Sequence, residues 1–126
     1  MEKRVEIEQV LIFISQFLKN LGKIRINGCY DPPRNVLKSI SSIELIEMER
    51  IRECSWCCGA GGGVMEAYPD FAHWNALERI EEARSTGAEA LVTACGWCEP
   101  NFKSALKEKG EEFPIYDVVE LVLKAI

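Results

Sequence analysis

Apolar residues between Val5 and Leu21 fall at helical spacing, with Val10, Phe13, Ile14, Phe17, Leu18 and Leu21 on one face. That pattern predicts an N-terminal helix within residues 1–23, stopped by Gly22. Ile24-Arg25-Ile26 then alternates like a short strand. Asp31-Pro32-Pro33 reads as a turn or helix start, and Val36, Leu37 and Ile40 give the helix that follows an apolar face. Ile43 to Met48 reads as a second strand. Pro69-Asp70 opens a helix to about Thr86, with Asp70 as N-cap, Phe71, Trp74, Leu77, Ile80 and Ala83 on its inward stripe, and Gly87 closing it. The unbroken run Ala90-Leu91-Val92-Thr93-Ala94 has the pattern of a buried parallel strand. A helix starting at Pro100 turns Phe102 and Leu106 inward and ends at Gly110. Pro114-Ile115-Tyr116 is a last strand, and Asp117-x-x-Glu120 is a capping box for a closing helix carrying Val118, Leu121, Val122 and Ala125.

Strands alternate with helices, so the pattern predicts an α/β fold. It is a small three-layer domain with a mostly parallel sheet of about four strands and flanking helices. At 126 residues the chain fits one domain, 1–126, large enough for its own core. The net charge of −5 argues against nucleic acid and anionic membrane surfaces as partners. The apolar stretch Val10 to Leu18 is shorter than the roughly 20 residues of a membrane span. The charged start Met1-Glu2-Lys3-Arg4 lacks the pattern of a signal peptide, so an intracellular, cytoplasmic setting is expected. There thiols stay reduced unless they bind metal or carry redox chemistry.

The chemistry lies in six cysteines, Cys29, Cys54, Cys57, Cys58, Cys95 and Cys98. Cys57-Cys58 opens the run Gly59-Ala60-Gly61-Gly62-Gly63, and Cys95-x-x-Cys98 follows the apolar strand. A Cys-x-x-Cys clip serves zinc sites, iron–sulfur sites and thioredoxin-like redox pairs alike. The adjacent pair discriminates better. Neighbouring side chains diverge, which suits a cluster of several irons more than one tetrahedral ion. Glycines beside the thiols let backbone N–H groups approach sulfur. Cys29, the Cys57-Cys58 loop and Cys95 all follow predicted strands, so one shared site beyond the strand ends is expected. The glycine run is not a nucleotide loop, because no Gly-Lys-Ser/Thr follows it. His73 reads as a surface or capping residue, and Cys54 either as a small buried residue or, like Cys29, as a further ligand. Trp56 and Trp97 read as shields over the thiols or as core, and Arg34, Arg50 and Arg52 as neutralisers of an anionic cluster or as solvated side chains. No Ser/His/Asp set or paired catalytic carboxylate is present, and no catalytic residue is assigned.

Three segments carry a resemblance to a known family. They are Tyr30-Asp31-Pro32-Pro33-Arg34, Ser55-Trp56-Cys57-Cys58-Gly59-Ala60-Gly61-Gly62-Gly63-Val64, and Leu91 to Phe102 with its Cys95-Gly96-Trp97-Cys98. Together they resemble the cysteine-rich CCG domain. That domain occurs in the B-type and D-type polypeptides of heterodisulfide reductase and in the iron–sulfur subunits of glycolate oxidase, lactate-utilisation and anaerobic glycerol-3-phosphate dehydrogenase systems. The resemblance runs from about Gly28 to the C-terminus. It implies Cys57, Cys58, Cys95 and Cys98 as ligands of a [4Fe-4S] cluster, in some members a noncubane one, or of zinc. The family's first ligand segment, His-Asp-Pro-Cys, has no counterpart. In an ungapped alignment Gln16-Phe17-Leu18-Lys19 stands there, and Cys29, ahead of Cys54, is the best substitute.

The expected function is an iron–sulfur or metal-binding domain of a heterodisulfide reductase-like oxidoreductase, serving electron transfer or disulfide-linked redox chemistry within a complex. The resemblance implies other oxidoreductase subunits as partners, ferredoxin-type or flavin-bearing. The Val10–Leu18 face suits a partner or self-association. Two alternatives stand beside it: a structural zinc domain, and a metal-free thiol module docking onto a larger redox subunit.

Overall fold

A computed structural model describes the backbone of Gln9–Phe13 and residues 30–126. Four strands form one sheet: β1 (Gln9–Phe13), β2 (Glu44–Ile46), β3 (Ala90–Thr93) and β4 (Ile115–Asp117). Their order is β2-β1-β3-β4, and every pairing is parallel. The register sets Val10 opposite Leu45 on one side and Ala90 on the other, and Leu91 opposite Ile115. The helices are α1 (Asp31–Lys38), α2 (Val64–Ala67), α3 (Pro69–Ser85), α4 (Cys98–Lys109) and α5 (Val118–Ala125).

The α/β parallel architecture is as expected, but its first strand is not. The predicted helix over Val5–Leu21 contains β1 instead. Val10-Leu11-Ile12-Phe13-Ile14 is a continuous apolar run, and a strand with parallel neighbours on both sides has that pattern. Periodicity alone does not separate such a strand from one face of a helix. The strand expected at Ile24–Ile26 lies outside the described residues.

Two cores flank the sheet. Alternation along β3 sends Ala90 and Val92 to one face, with Leu37 of α1 and Val118 and Leu121 of α5. Leu91 points to the other, where Ala76, Ile80 and Ala83 of α3 meet Phe102, Ala105 and Leu106 of α4. The inward stripe of α3 is therefore narrower than expected. Ala72, Ala76, Arg79, Ile80 and Ala83 are buried, whereas Phe71 and Trp74 are exposed and stack on each other. Small residues let α3 lie close to α4, and bulky rings on that stripe would hold the helices apart.

Helix ends follow local chemistry. Pro69 occupies the first turn of α3, and Tyr68 rather than Asp70 is its N-cap. Gly110, at φ +70°, closes α4 as expected. The Asp117 side chain accepts from the Val119 N–H at 2.8 Å and caps α5. No described helix is long and apolar enough to cross a membrane.

Leu91 is fully buried under α3 and α4, while Leu123 on α5 is 65% exposed. Leu91→Ala is expected to lower unfolding free energy by about 3 kcal/mol in urea titrations. Leu123→Ala should change it by less than about 0.5 kcal/mol. Equal effects would contradict this layer assignment.

Candidate metal centre

The strand order reverses between β1 and β3, since the chain leaves β1 toward β2 on one side and reaches β3 on the other. Open parallel sheets bind ligands beyond the carboxyl ends of their strands at such a reversal. Cys95 lies two residues past the end of β3. Its backbone N–H donates to Thr93 Oγ1 at 3.1 Å, so the strand's last side chain shapes the turn. The Cys98 N–H donates to the Cys95 carbonyl at 3.1 Å, and α4 begins at Cys98 itself, two residues before the expected start at Pro100.

The second thiol segment arrives after β2. A 3-10 turn, Arg52–Cys54, leads into Cys57-Cys58. Arg52 holds a left-handed conformation at φ +53°, and its Nη2 donates to Asp31 Oδ1 at 2.7 Å. Arg34 is buried, donates to Glu47 Oε1 at 2.5 Å and to the Tyr30 carbonyl at 2.7 Å, and so ties α1 to the exit of β2. Arg50 pairs with Glu82 of α3 at 3.3 Å. These three arginines therefore pair with carboxylates.

Cys58 Sγ and Cys98 Sγ stand 3.0 Å apart, and both side chains are buried with Cys95. Cys57 is partly buried against the same core, its Sγ accepting from the Gly59 N–H at 3.3 Å. Cys58, Cys95 and Cys98 thus gather beyond the end of β3, with Cys57 packed against the same core. Cys54 is exposed, which removes the reading of it as a small buried residue, and Cys29 lies outside the described residues. His73 pairs with Glu108 of α4 and ties two helices together. Trp56 and Trp97 are 47% and 44% exposed, so they are neither core nor a closed cover; Trp56 lies beneath the Arg50 guanidinium.

The loop between the thiols is shaped by close approach. Gly59 has φ +90°, and a Cβ there would meet Asn75 Cβ at 2.8 Å and the Ala72 backbone at 3.2 Å. The glycines that follow form a 3-10 turn, Gly61–Gly63, and α2 comes next, where the residue pattern predicts only a loop. Asn101, which the motif pattern does not single out, is fully buried and donates to the Cys58 carbonyl at 2.8 Å and the Ala72 carbonyl at 3.2 Å. Its position one helical turn after Cys98 was the available signal.

The thiols differ electrostatically. The Cys98 thiol and the Trp97 and Cys98 backbone N–H groups hold Cys95 down to about 6, against an ordinary value of 9.0. Burial pushes Cys98 up, and its contact with Cys58 adds to that. Arg79 of α3, only 1% exposed, pairs with Glu82 in the same interior; burial lowers its pKa.

As a donor set these thiols fit a thiophilic metal group: four sulfurs from two turns, three of them buried together. The sulfurs are in contact rather than spread. Two thiolates on one tetrahedral zinc, with bonds of about 2.3 Å, stand roughly 3.8 Å apart. The Cys58 and Cys98 side chains must open from 3.0 Å to admit an ion. In line with that contact, among the described residues no three His, Cys, Asp or Glu side chains are already spaced around a metal ion.

Thiol linkage gives a pH test on the metal-free, reduced protein. Cys95 ionises at lower pH folded than unfolded, so its contribution grows with pH between about 6 and 9 and is lost as pH falls through 6. Cys98 acts oppositely, and stability should fall above the ordinary thiol value of 9.0. Urea midpoints measured from pH 6 to 8.5 should rise in the wild type and stay flat in Cys95→Ser.

A family model described as CCG, cysteine-rich domain, matches residues 20–103. Over 99 residues the chain is 37% identical to a component polypeptide of the dihydromethanophenazine:CoB--CoM heterodisulfide reductase of Methanosarcina acetivorans, across 79% of this chain and 24% of that one. It is 38% identical over 104 residues to the probable iron-sulfur-binding oxidoreductase FadF of Bacillus subtilis, across 81% of this chain and 15% of the relative. With a component polypeptide of the fumarate reductase (CoM/CoB) of Methanothermobacter marburgensis it shares 31% over 100 residues, across 79% and 20% of the two chains. It thus spans 24% or less of the length of these relatives. The matched span holds both thiol turns, and the chain belongs to the CCG cysteine-rich domain family.

Proposed function

We propose that this chain is an iron–sulfur-binding redox domain of a heterodisulfide reductase-like oxidoreductase, with Cys57, Cys58, Cys95 and Cys98 as its ligands. The observation that carries this reading is the meeting of Cys58, Cys95 and Cys98 in one buried spot from two turns distant in sequence. The relatives named as oxidoreductases, one of them as iron-sulfur-binding, support it.

When bound, such a cluster supplies reversible one-electron chemistry. The protein's part is to supply thiolates, exclude water and set the surrounding charge. Cys95, held down to about 6, is already largely ionised near neutral pH. Cys98, pushed up by burial, must give up its proton as metal binds, so loading depends on pH. The Gly59 N–H already donates to Cys57 Sγ, and hydrogen bonds of that kind tune a cluster's potential. The finer reading is a [4Fe-4S] cluster, of the noncubane type, with Cys29 as a fifth ligand. The domain would exchange electrons with a ferredoxin-type or flavin-bearing partner in the cytoplasm.

The compactness of the thiol group favours a second reading, one structural zinc ion. Sulfurs 3.0 Å apart need a smaller opening for a single ion than for a cluster.

Anaerobic reconstitution with iron and sulfide separates the two. The wild type is expected to turn brown and take up several irons per chain, and Cys58→Ser or Cys98→Ser to lose more than half of that iron. A colourless protein without iron would refute the first reading. Zinc at about one per chain, with no iron, would establish the second.

A further inference from the structure

Asn101 has no ligand chemistry of its own, yet it occupies the centre of the seam. It is fully buried on α4, one turn beyond Cys98. Its Nδ2 reaches two carbonyls from different segments, Cys58 at 2.8 Å and Ala72 of α3 at 3.2 Å. Both amide hydrogens are engaged, so the amide has one orientation; reversed, Oδ1 would face two carbonyl oxygens. Oδ1 has no partner among the described residues. A buried acceptor left dry detracts from stability, which argues that the residue acts through its donors.

A separate observation leads to the same joint. Gly59, next to Cys58, lies against the Ala72 backbone, where a Cβ would stand 3.2 Å from its carbonyl oxygen. The loop's carbonyl and the helix's carbonyl are thus brought side by side, and Asn101 fills the gap between them with two donors.

We propose that Asn101 is the positioning residue of the site, clamping the Cys-Cys-Gly turn to α3 and so holding Cys58 against Cys98. This rests on the reading of these thiols as ligands, but its geometric core is testable without metal. The ligand pair is set before anything binds, because the clamp uses only backbone carbonyls. Partners that orient metal ligands in this way typically contribute 10–100-fold to affinity.

The test uses the full metal-free chain, reduced and then oxidised with diamide. The Cys58 and Cys98 S–H bonds break and an S–S bond forms, while diamide takes the two protons and two electrons. Peptide mapping without reductant should give Cys58–Cys98 as the main cross-link in the wild type. In Asn101→Ala and Asn101→Asp, which lack both donors, its share should fall at least fivefold in favour of Cys57–Cys58 and Cys95–Cys98. His73→Ala, which removes a different tie between α3 and α4, should keep the wild-type pattern. Unchanged cross-linking in folded Asn101→Ala, or local pairs dominating in the wild type, would overturn the proposal. Should both Asn101 variants fail to fold, hydrogen exchange at the wild-type Asn101 side-chain amide decides: exchange as slow as core backbone amides supports the clamp, and fast exchange overturns it. In metal-loaded protein, Asn101→Ala should bind iron or zinc 10–100-fold more weakly. A wild type that binds neither metal yet shows the Cys58–Cys98 cross-link would refute the ligand reading and leave the clamp standing.

Discussion

The close approach of α3 to α4 and to the glycine loop is the constraint on which the rest of the site depends. Ala72, Ala76 and Ala83 on α3 and Ala105 on α4 leave no room between the helices, and Gly59 brings the loop against the α3 backbone. At that distance one asparagine spans two carbonyls, and the sulfur of Cys58 reaches that of Cys98. A wider seam would leave the two thiol turns as separate surface features.

Burial then sets the chemistry. In a dry interior three thiols do not all ionise, because each charge raises the cost of the next. The turn before α4 resolves this by gathering donors on one sulfur, Cys95, while Cys98 stays protonated. Beside them, Glu82 of α3 pairs with both Arg79 and Arg50.

Much of this was legible in the residue pattern. The alternation of apolar strands with helices predicted a parallel α/β sheet, and β3, α4, β4 and α5 lie close to their expected positions. The cysteine spacing singled out Cys58, Cys95 and Cys98, which the fold buries together. The misses share a cause. The run Val10–Phe13 satisfies a helical stripe and a central strand equally, and only its pairing with β2 and β3 distinguishes them. Phe71 and Trp74 look inward by hydrophobicity, but the buried stripe of α3 runs through Ala72, Ala76, Arg79, Ile80 and Ala83, so the rings face solvent. Arg34, Arg50 and Arg52 read as solvated charges or cluster neutralisers because their partners, Glu47, Glu82 and Asp31, are distant in sequence.

By itself, then, the sequence determined the class of fold and the approximate positions of β3, α4, β4 and α5, because each follows from short-range periodicity or from residues a few positions apart. The tertiary structure decided which sulfurs touch, which one ionises and which asparagine holds the turns together. Those outcomes depend on the distance between α3 and α4 and on the water that distance excludes, and no local pattern of residues encodes either quantity.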